Sequence, residues 1–145
     1  MTIPNGYRYA LPMSVRFADL DAMGHLNNAT YLTYIEQARI AYVHDVCGWD
    51  GNWKALGMIL ARSEIDYRLP VSFGDQVTIY LRVSRIGSKS FDFQAVITAQ
   101  RADDPAGIAA EAKAVMVAYD YQQNTSIPIL ATWRERILAY EPALS

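Results

Sequence analysis

Between Val77 and Ala118 the chain alternates apolar and polar side chains with a period of two, the spacing of strands with one face on a core. Val77, Ile79, Leu81 and Val83 share one face, and Thr78, Tyr80, Arg82 and Ser84 share the other. Gly87-Ser88 reads as a tight turn, after which Phe91, Phe93, Ala95, Ile97 and Ala99 form the apolar face of a second strand. Asp103-Asp104-Pro105-Ala106-Gly107 is another turn, and beyond it Ala110, Ala112, Ala114, Met116 and Ala118 line one side of a third strand. A row of alanines lets another element lie close. Upstream, Ile59, Ala61, Ser63, Ile65, Tyr67 and Leu69 alternate with Arg62, Glu64, Asp66 and Arg68, a strand stopped by Pro70. Met13, Val15 and Phe17 make a short first strand.

One long segment has helical period instead: Tyr31, Ile35, Ala38, Tyr42 and Val46 recur every three or four residues, and Leu32, Ala41 and Val43 broaden the stripe. This spacing predicts a helix buried against the sheet, capped by Asn27 or Asn28 and stopped near Gly48. Thr132-Trp133-Arg134-Glu135 has the capping-box pattern and opens a short helix through Ile137 and Leu138. A strand, a long helix, four strands and a short helix predict an α+β fold, with an antiparallel sheet around one helix. No repeat or composition break divides residues 1–145, which read as a single domain.

Composition narrows the partners. With 52% hydrophobic residues, a formal net charge of -2 and no basic run, neither nucleic acid nor an anionic membrane surface is expected as a partner. The single cysteine, Cys47, allows no intramolecular disulfide and fits a reducing compartment. The first ten residues lack the apolar core of a secretory signal, and no stretch approaches ~18 apolar residues, so a cytoplasmic location is expected.

Candidate chemistry concentrates between the first strand and the long helix, in Asp19-Leu20-Asp21-Ala22-Met23-Gly24-His25-Leu26-Asn27-Asn28. Two carboxylates, one of two histidines and a pair of amides lead into a helix N-terminus, whose free N–H groups favour developing negative charge. That set suits acyl transfer. The residues alone describe first a loop whose aspartates bond their own backbone and whose asparagines are caps. No metal is expected, because the spacing of His25 and His44 does not fit paired ligands on one helix face and no cysteine cluster exists. Arg85, Lys89 and Arg101, near strand ends, are the cations available for a phosphorylated ligand, or simply solvated turn charges.

The loop, followed by Tyr31, Tyr34, Glu36, Arg39 and Tyr42, resembles the 4-hydroxybenzoyl-CoA thioesterase-like branch of the hotdog-fold acyl-CoA thioesterases, which carry an Asp-x-Asp-x-x-Gly loop before a buried helix. Asp66-Tyr67-Arg68-Leu69-Pro70, Phe73-Gly74-Asp75-Gln76-Val77 and Ile86-Gly87-Ser88-Lys89-Ser90 extend the likeness over most of the chain. The resemblance implies a hotdog fold, one long helix wrapped by a curved antiparallel sheet, and a homodimer or homotetramer with its site at a subunit interface. It also implies acyl-CoA as substrate, with no cofactor besides the coenzyme A that the substrate itself carries. Asp21 takes the role of nucleophile or general base, His25 assists, and backbone N–H groups at Asn27 or Asn28 bind the carbonyl oxygen. Asp19, Gly24 and Tyr31 border the substrate, with Arg85 and Lys89 toward the phosphates, and Asp19 also shapes the loop. Glu36 and Arg39 are expected to pair locally, with Glu36 a minor alternative for the catalytic carboxylate. Two other readings share the fold: a non-catalytic acyl-thioester binding module and a thioesterase acting on acyl-carrier protein.

Overall fold

The computed structural model describes residues 3–52 and 54–144. The predicted long helix is present as α1, Asn28–Cys47. It starts where Asn27, in an extended conformation, accepts the Ala29 N–H on its side-chain oxygen at 2.9 Å. It stops where Gly48 takes a left-handed φ of 74° and turns its N–H back to the His44 carbonyl. Its buried face is Tyr31, Tyr34, Ile35, Ala38, Arg39, Tyr42, Val43 and Cys47, whereas Leu32 and Ile40 remain exposed.

The strands are β1 (Tyr9–Ser14), β2 (Leu56–Tyr67), β3 (Gln76–Ile86), β4 (Ser90–Gln100), β5 (Gly107–Asp120) and the two-residue β6 (Thr125–Ser126); helix α2 (Ala131–Tyr140) follows. The sheet is antiparallel in the order β1-β3-β4-β5-β2, with β6 paired to β5. The fold is α+β, as expected. The core joins the α1 stripe to Val77, Ile79, Leu81 and Val83 of β3, to Phe91, Phe93, Ala95 and Ile97 of β4, and to the alanine row of β5. Ala110, Ala114 and Ala118 are buried, and Ala114 faces Ile35 and Arg39 with no space for a water between them. Ala114→Leu is therefore expected to cost about 1–3 kcal/mol through overpacking, read as a lowered melting temperature. Half-buried Ala112 is expected to tolerate the same change better.

Four local expectations are corrected. The first strand runs through Tyr9, Leu11 and Met13 and has ended before Phe17, which sits in a short 3-10 turn at 80% exposure. Helix α2 begins one residue before Thr132, with Leu130 at the cap position and no side-chain cap, so the capping-box pattern lies inside the first turn. Strand β2 changes phase. A bulge at Ala61 shifts its register on β5 between Leu60 and Arg62, so Met58 and Leu60 face α1 before it and Ser63 and Ile65 after it. Finally, no Glu36–Arg39 ion pair forms within 4.0 Å among the described residues.

Candidate active site

The loop between β1 and α1 is shaped by its own carboxylates. Asp21 Oδ1 accepts the Met23 N–H at 2.8 Å and the His25 N–H at 3.1 Å, while the Asp21 N–H donates to the His25 carbonyl at 2.7 Å. Gly24, at φ 80°, takes the left-handed conformation that lets the chain reverse there. Leu20 and Leu26 bridge across the turn, and the Leu26 N–H donates to the Val71 carbonyl at 2.7 Å. The loop is thus tied both to itself and to the segment that enters β3. Oδ1 thus organises the turn, and no protein donor engages Oδ2 among the described residues.

Asp19 behaves differently. Its side chain is 3% exposed and accepts from the Arg16 guanidinium at 2.8 Å, the Arg16 N–H at 3.0 Å and the Tyr34 hydroxyl at 2.5 Å. The Arg16 side-chain bonds, helped by Tyr34, hold its carboxyl down at about 2. Asp19 therefore shapes the loop and has almost no surface to offer a substrate. Because its folded pKa is depressed, its contribution to stability is complete above the unfolded value near ~4 and is lost as pH falls toward 2. Arg16 is largely exposed, which limits that contribution to about 1–2 kcal/mol. Asp19→Asn is expected to melt lower at pH 7 and to show a shallower loss of stability between pH 4 and 2 in acid-unfolding curves.

At the start of α1 the backbone donors can be followed one by one. The Asn27 N–H donates to the Asp19 carbonyl at 2.9 Å, the Ala29 N–H to the Asn27 side chain, and the Thr30 N–H to the Asn27 carbonyl at 2.9 Å. The Asn28 N–H has no acceptor among the described residues. Of the two expected oxyanion donors, Asn27 is consumed as a structural bond and cap, and Asn28 is the one left open.

Asp21, His25, Asn28 and Tyr31 meet around one cavity of about 290 Å³, closed on its other side by Tyr67, Arg68 and Leu69 from the end of β2. Buried Tyr31 packs edge-on to Tyr67 with ring centroids 5.1 Å apart, and the Tyr67 hydroxyl donates to the Asn28 carbonyl at 2.8 Å. Tyr67 and Arg68 are not among the expected site residues, although both stand in a stretch that carries the resemblance; only the pairing of β2 with β5 brings them beside the helix start. Arg68 forms an ion pair with Glu111 at 2.9 Å and sits at the rim.

Within one subunit, the expected phosphate-binding cations do not line this cavity. Arg85 and Lys89 flank the β3–β4 turn, while the loop joins the chain just before Gln76, so the length of β3, ~30 Å, separates them within one subunit. Arg85 also pairs with buried Asp92 at 2.9 Å, and Arg101 pairs with buried Asp75 at 3.0 Å. Phe17 and Phe73, with centroids 6.2 Å apart, form an exposed aromatic pair near the loop.

Comparison with known proteins places this architecture. Residues 15–138 match the family model described as the thioesterase-like superfamily. The long-chain acyl-CoA thioesterase FadM of Escherichia coli is 27% identical over 136 residues, which cover 86% of this chain and 93% of FadM. The protein YsmA of Bacillus subtilis is 33% identical over 78 residues, 54% of this chain, and that match spans about half of YsmA, 52%. A thioesterase from Thermus thermophilus, solved with coenzyme A and zinc, superposes with a TM-score of 0.81 at 32% identity over 95% of this chain and 97% of that one. With the family match running from Val15, ahead of the Asp19–Asn28 loop, almost to the end of α2, the chain belongs to the thioesterase-like superfamily.

Proposed function

We propose that this thioester hydrolase acts on acyl-CoA, releasing a free acid and coenzyme A. The observation that carries the reading is that Asp21, with one carboxylate oxygen unengaged, and Asn28, with its N–H open, line a single cavity. In the general-base form, Asp21 takes a proton from water as the water oxygen adds to the thioester carbon. The carbonyl electron pair moves onto oxygen, where the Asn28 N–H and the helix start stabilise it. Collapse restores the carbonyl, breaks the C–S bond and releases the thiolate, which takes up a proton. In the nucleophilic form, Asp21 attacks first and water cleaves the resulting anhydride. Exposed His25 is placed to orient the substrate or supply the proton, and Arg68 is the cation beside the cavity for a phosphorylated group. FadM, a long-chain acyl-CoA thioesterase by name, and the coenzyme A-bound Thermus relative support this choice over a carrier-protein substrate. No helix among the described residues is long and apolar enough to cross a membrane.

The reading includes a dimer formed along β2. That strand is 12 residues long, lacks proline, pairs among the described residues only with β5 and leaves Ile59 and Leu60 exposed; the other edge, β1, has 6 residues and contains Pro12. The end of β2 borders the Asp21 cavity, so a second copy on this edge completes its wall. Thiol release from a panel of acyl-CoAs tests the activity, and uniform inertness alongside tight acyl-CoA binding would favour a binding module instead. Sedimentation tests the assembly, with a dimer expected at micromolar concentration and an active monomer contradicting the shared site.

A further inference from the structure

An apolar recess of about 330 Å³ lies away from the loop, between the second half of α1, the start of β2 and α2. Val43, Met58, Leu60, Met116 and Trp133 supply its walls, and the size suits a small-molecule site. Arg39 also lines it. Arg39 is 5% exposed, yet no acceptor or carboxylate approaches its guanidinium within hydrogen-bond or ion-pair distance among the described residues. A buried guanidinium without a counter-charge is costly, and burial indeed pulls Arg39 below its ordinary pKa. Glu36 attracts it only from beyond ion-pair distance, so a carboxylate entering the recess would be its first close counter-charge.

The recess and the Asp21 cavity are separate but lie along the same helix. Asn28, Leu32, Glu36 and Ile40 follow one another at intervals of four along α1, so they form a single row starting at the open N–H. Leu32 and Ile40 are exposed apolar side chains on that row, and Glu36 and Ile40 border the recess. Arg39 lies three helical turns past Asn28, ~16 Å along the axis, and its side chain leans back toward the helix start. At ~1.2 Å per bond an extended chain of about eight to thirteen bonds covers the distance.

Resting on the acyl-CoA reading, we propose that the recess receives the distal end of the acyl group and that Arg39 makes the enzyme prefer medium-chain acyl groups ending in a carboxylate, the monothioesters of dicarboxylic acids. The distal carboxylate supplies the counter-charge that Arg39 lacks while the methylenes fill the apolar walls. Glu36, the other charged residue at the recess, is exposed, so water screens its repulsion and leaves Arg39 dominant.

The test compares ten-carbon ω-carboxyacyl-CoA with ten-carbon unbranched acyl-CoA in wild type, Arg39→Met and Glu36→Gln. Wild type is expected to favour the ω-carboxy substrate by about 10–100-fold in kcat/KM, Arg39→Met to lose that preference, and Glu36→Gln to increase it. Occupancy is read separately from turnover by tryptophan fluorescence, since Trp49 and Trp133 line the recess, titrating free decanedioic against decanoic acid. Tighter decanedioic acid binding in wild type but not in Arg39→Met supports the site even if neither thioester is cleaved, in which case the thioesterase reading alone fails. A wild-type preference for the plain acyl chain in both assays overturns the proposal, whether or not the variants fold. So does a shift in sedimentation of Arg39→Met and Glu36→Gln without a change in substrate ratio, which would identify the counter-charge as Glu36 of a second copy.

Discussion

Asp21→Asn is expected to lower kcat for thiol release by at least about 100-fold, with little change in melting temperature or in acyl-CoA binding. The separation follows from the division of labour within one carboxylate. Oδ1 accepts the Met23 and His25 N–H groups that form the turn, and an asparagine oxygen accepts them equally well. The amide nitrogen then stands where Oδ2 was, unable to take a proton or attack a carbonyl. Asp21→Ala removes both functions and should lose stability as well as rate, so the pair of variants separates the loop role from the chemical one. Asp19→Asn should cost far less in kcat and act through stability, because that carboxylate is enclosed by Arg16 and Tyr34. His25→Ala should fall between them, since a thiolate leaves without full protonation. Single-turnover hydrolysis in 18O-enriched water distinguishes the two forms, because only the nucleophilic route passes label through the Asp21 side chain. Near wild-type turnover by Asp21→Asn together with a dead Glu36→Gln would move the catalytic carboxylate onto α1.

The parts of this arrangement that are legible in the sequence are those governed by near neighbours. Asn27 and Gly48 bound α1 because a cap and a left-handed stop are interactions of a few residues, and the β3 and β5 faces follow from strict alternation. What escapes is set by distant segments. The bulge at Ala61 arises from register against β5, and it reverses which residues of β2 face the helix at the end of the apolar run Met58-Ile59-Leu60-Ala61, where the sequence shows no alternation to fix the phase. The burial of Asp19 depends on Tyr34, fifteen residues away, whose hydroxyl reaches back from α1. Tyr67 and Arg68 sit 39 and 40 positions beyond Asn28 and join the site only because β2 ends beside the helix start. The missing partner of Arg39 is of the same kind, since the i,i+3 spacing from Glu36 suggests a pair that the side chains do not make. Thr132 misleads for a different reason: a capping pattern has no effect where the helix has already begun one residue earlier.

Asn28→Pro replaces the backbone N–H at the site with a ring methylene and is expected to lower kcat by about 100–1,000-fold relative to Asn28→Ala, which keeps the backbone N–H. Asn28 is the first residue of α1, the helical position where proline is best tolerated, because the N–H lost there has no partner within the helix. The preceding residue, Asn27, already has φ -60° and ψ 136°, within the extended region that a following proline requires. The Asn28 carbonyl still accepts the Tyr67 hydroxyl, and the cap from Asn27 to the Ala29 N–H is untouched. The fold should therefore survive, with melting of the two variants within a few degrees of each other. The loss should appear in kcat rather than in substrate binding, because negative charge develops on the carbonyl oxygen only as the thioester carbon is attacked. If Asn28→Pro turns over as fast as Asn28→Ala, the oxyanion is held by some other donor and the helix start serves the fold alone.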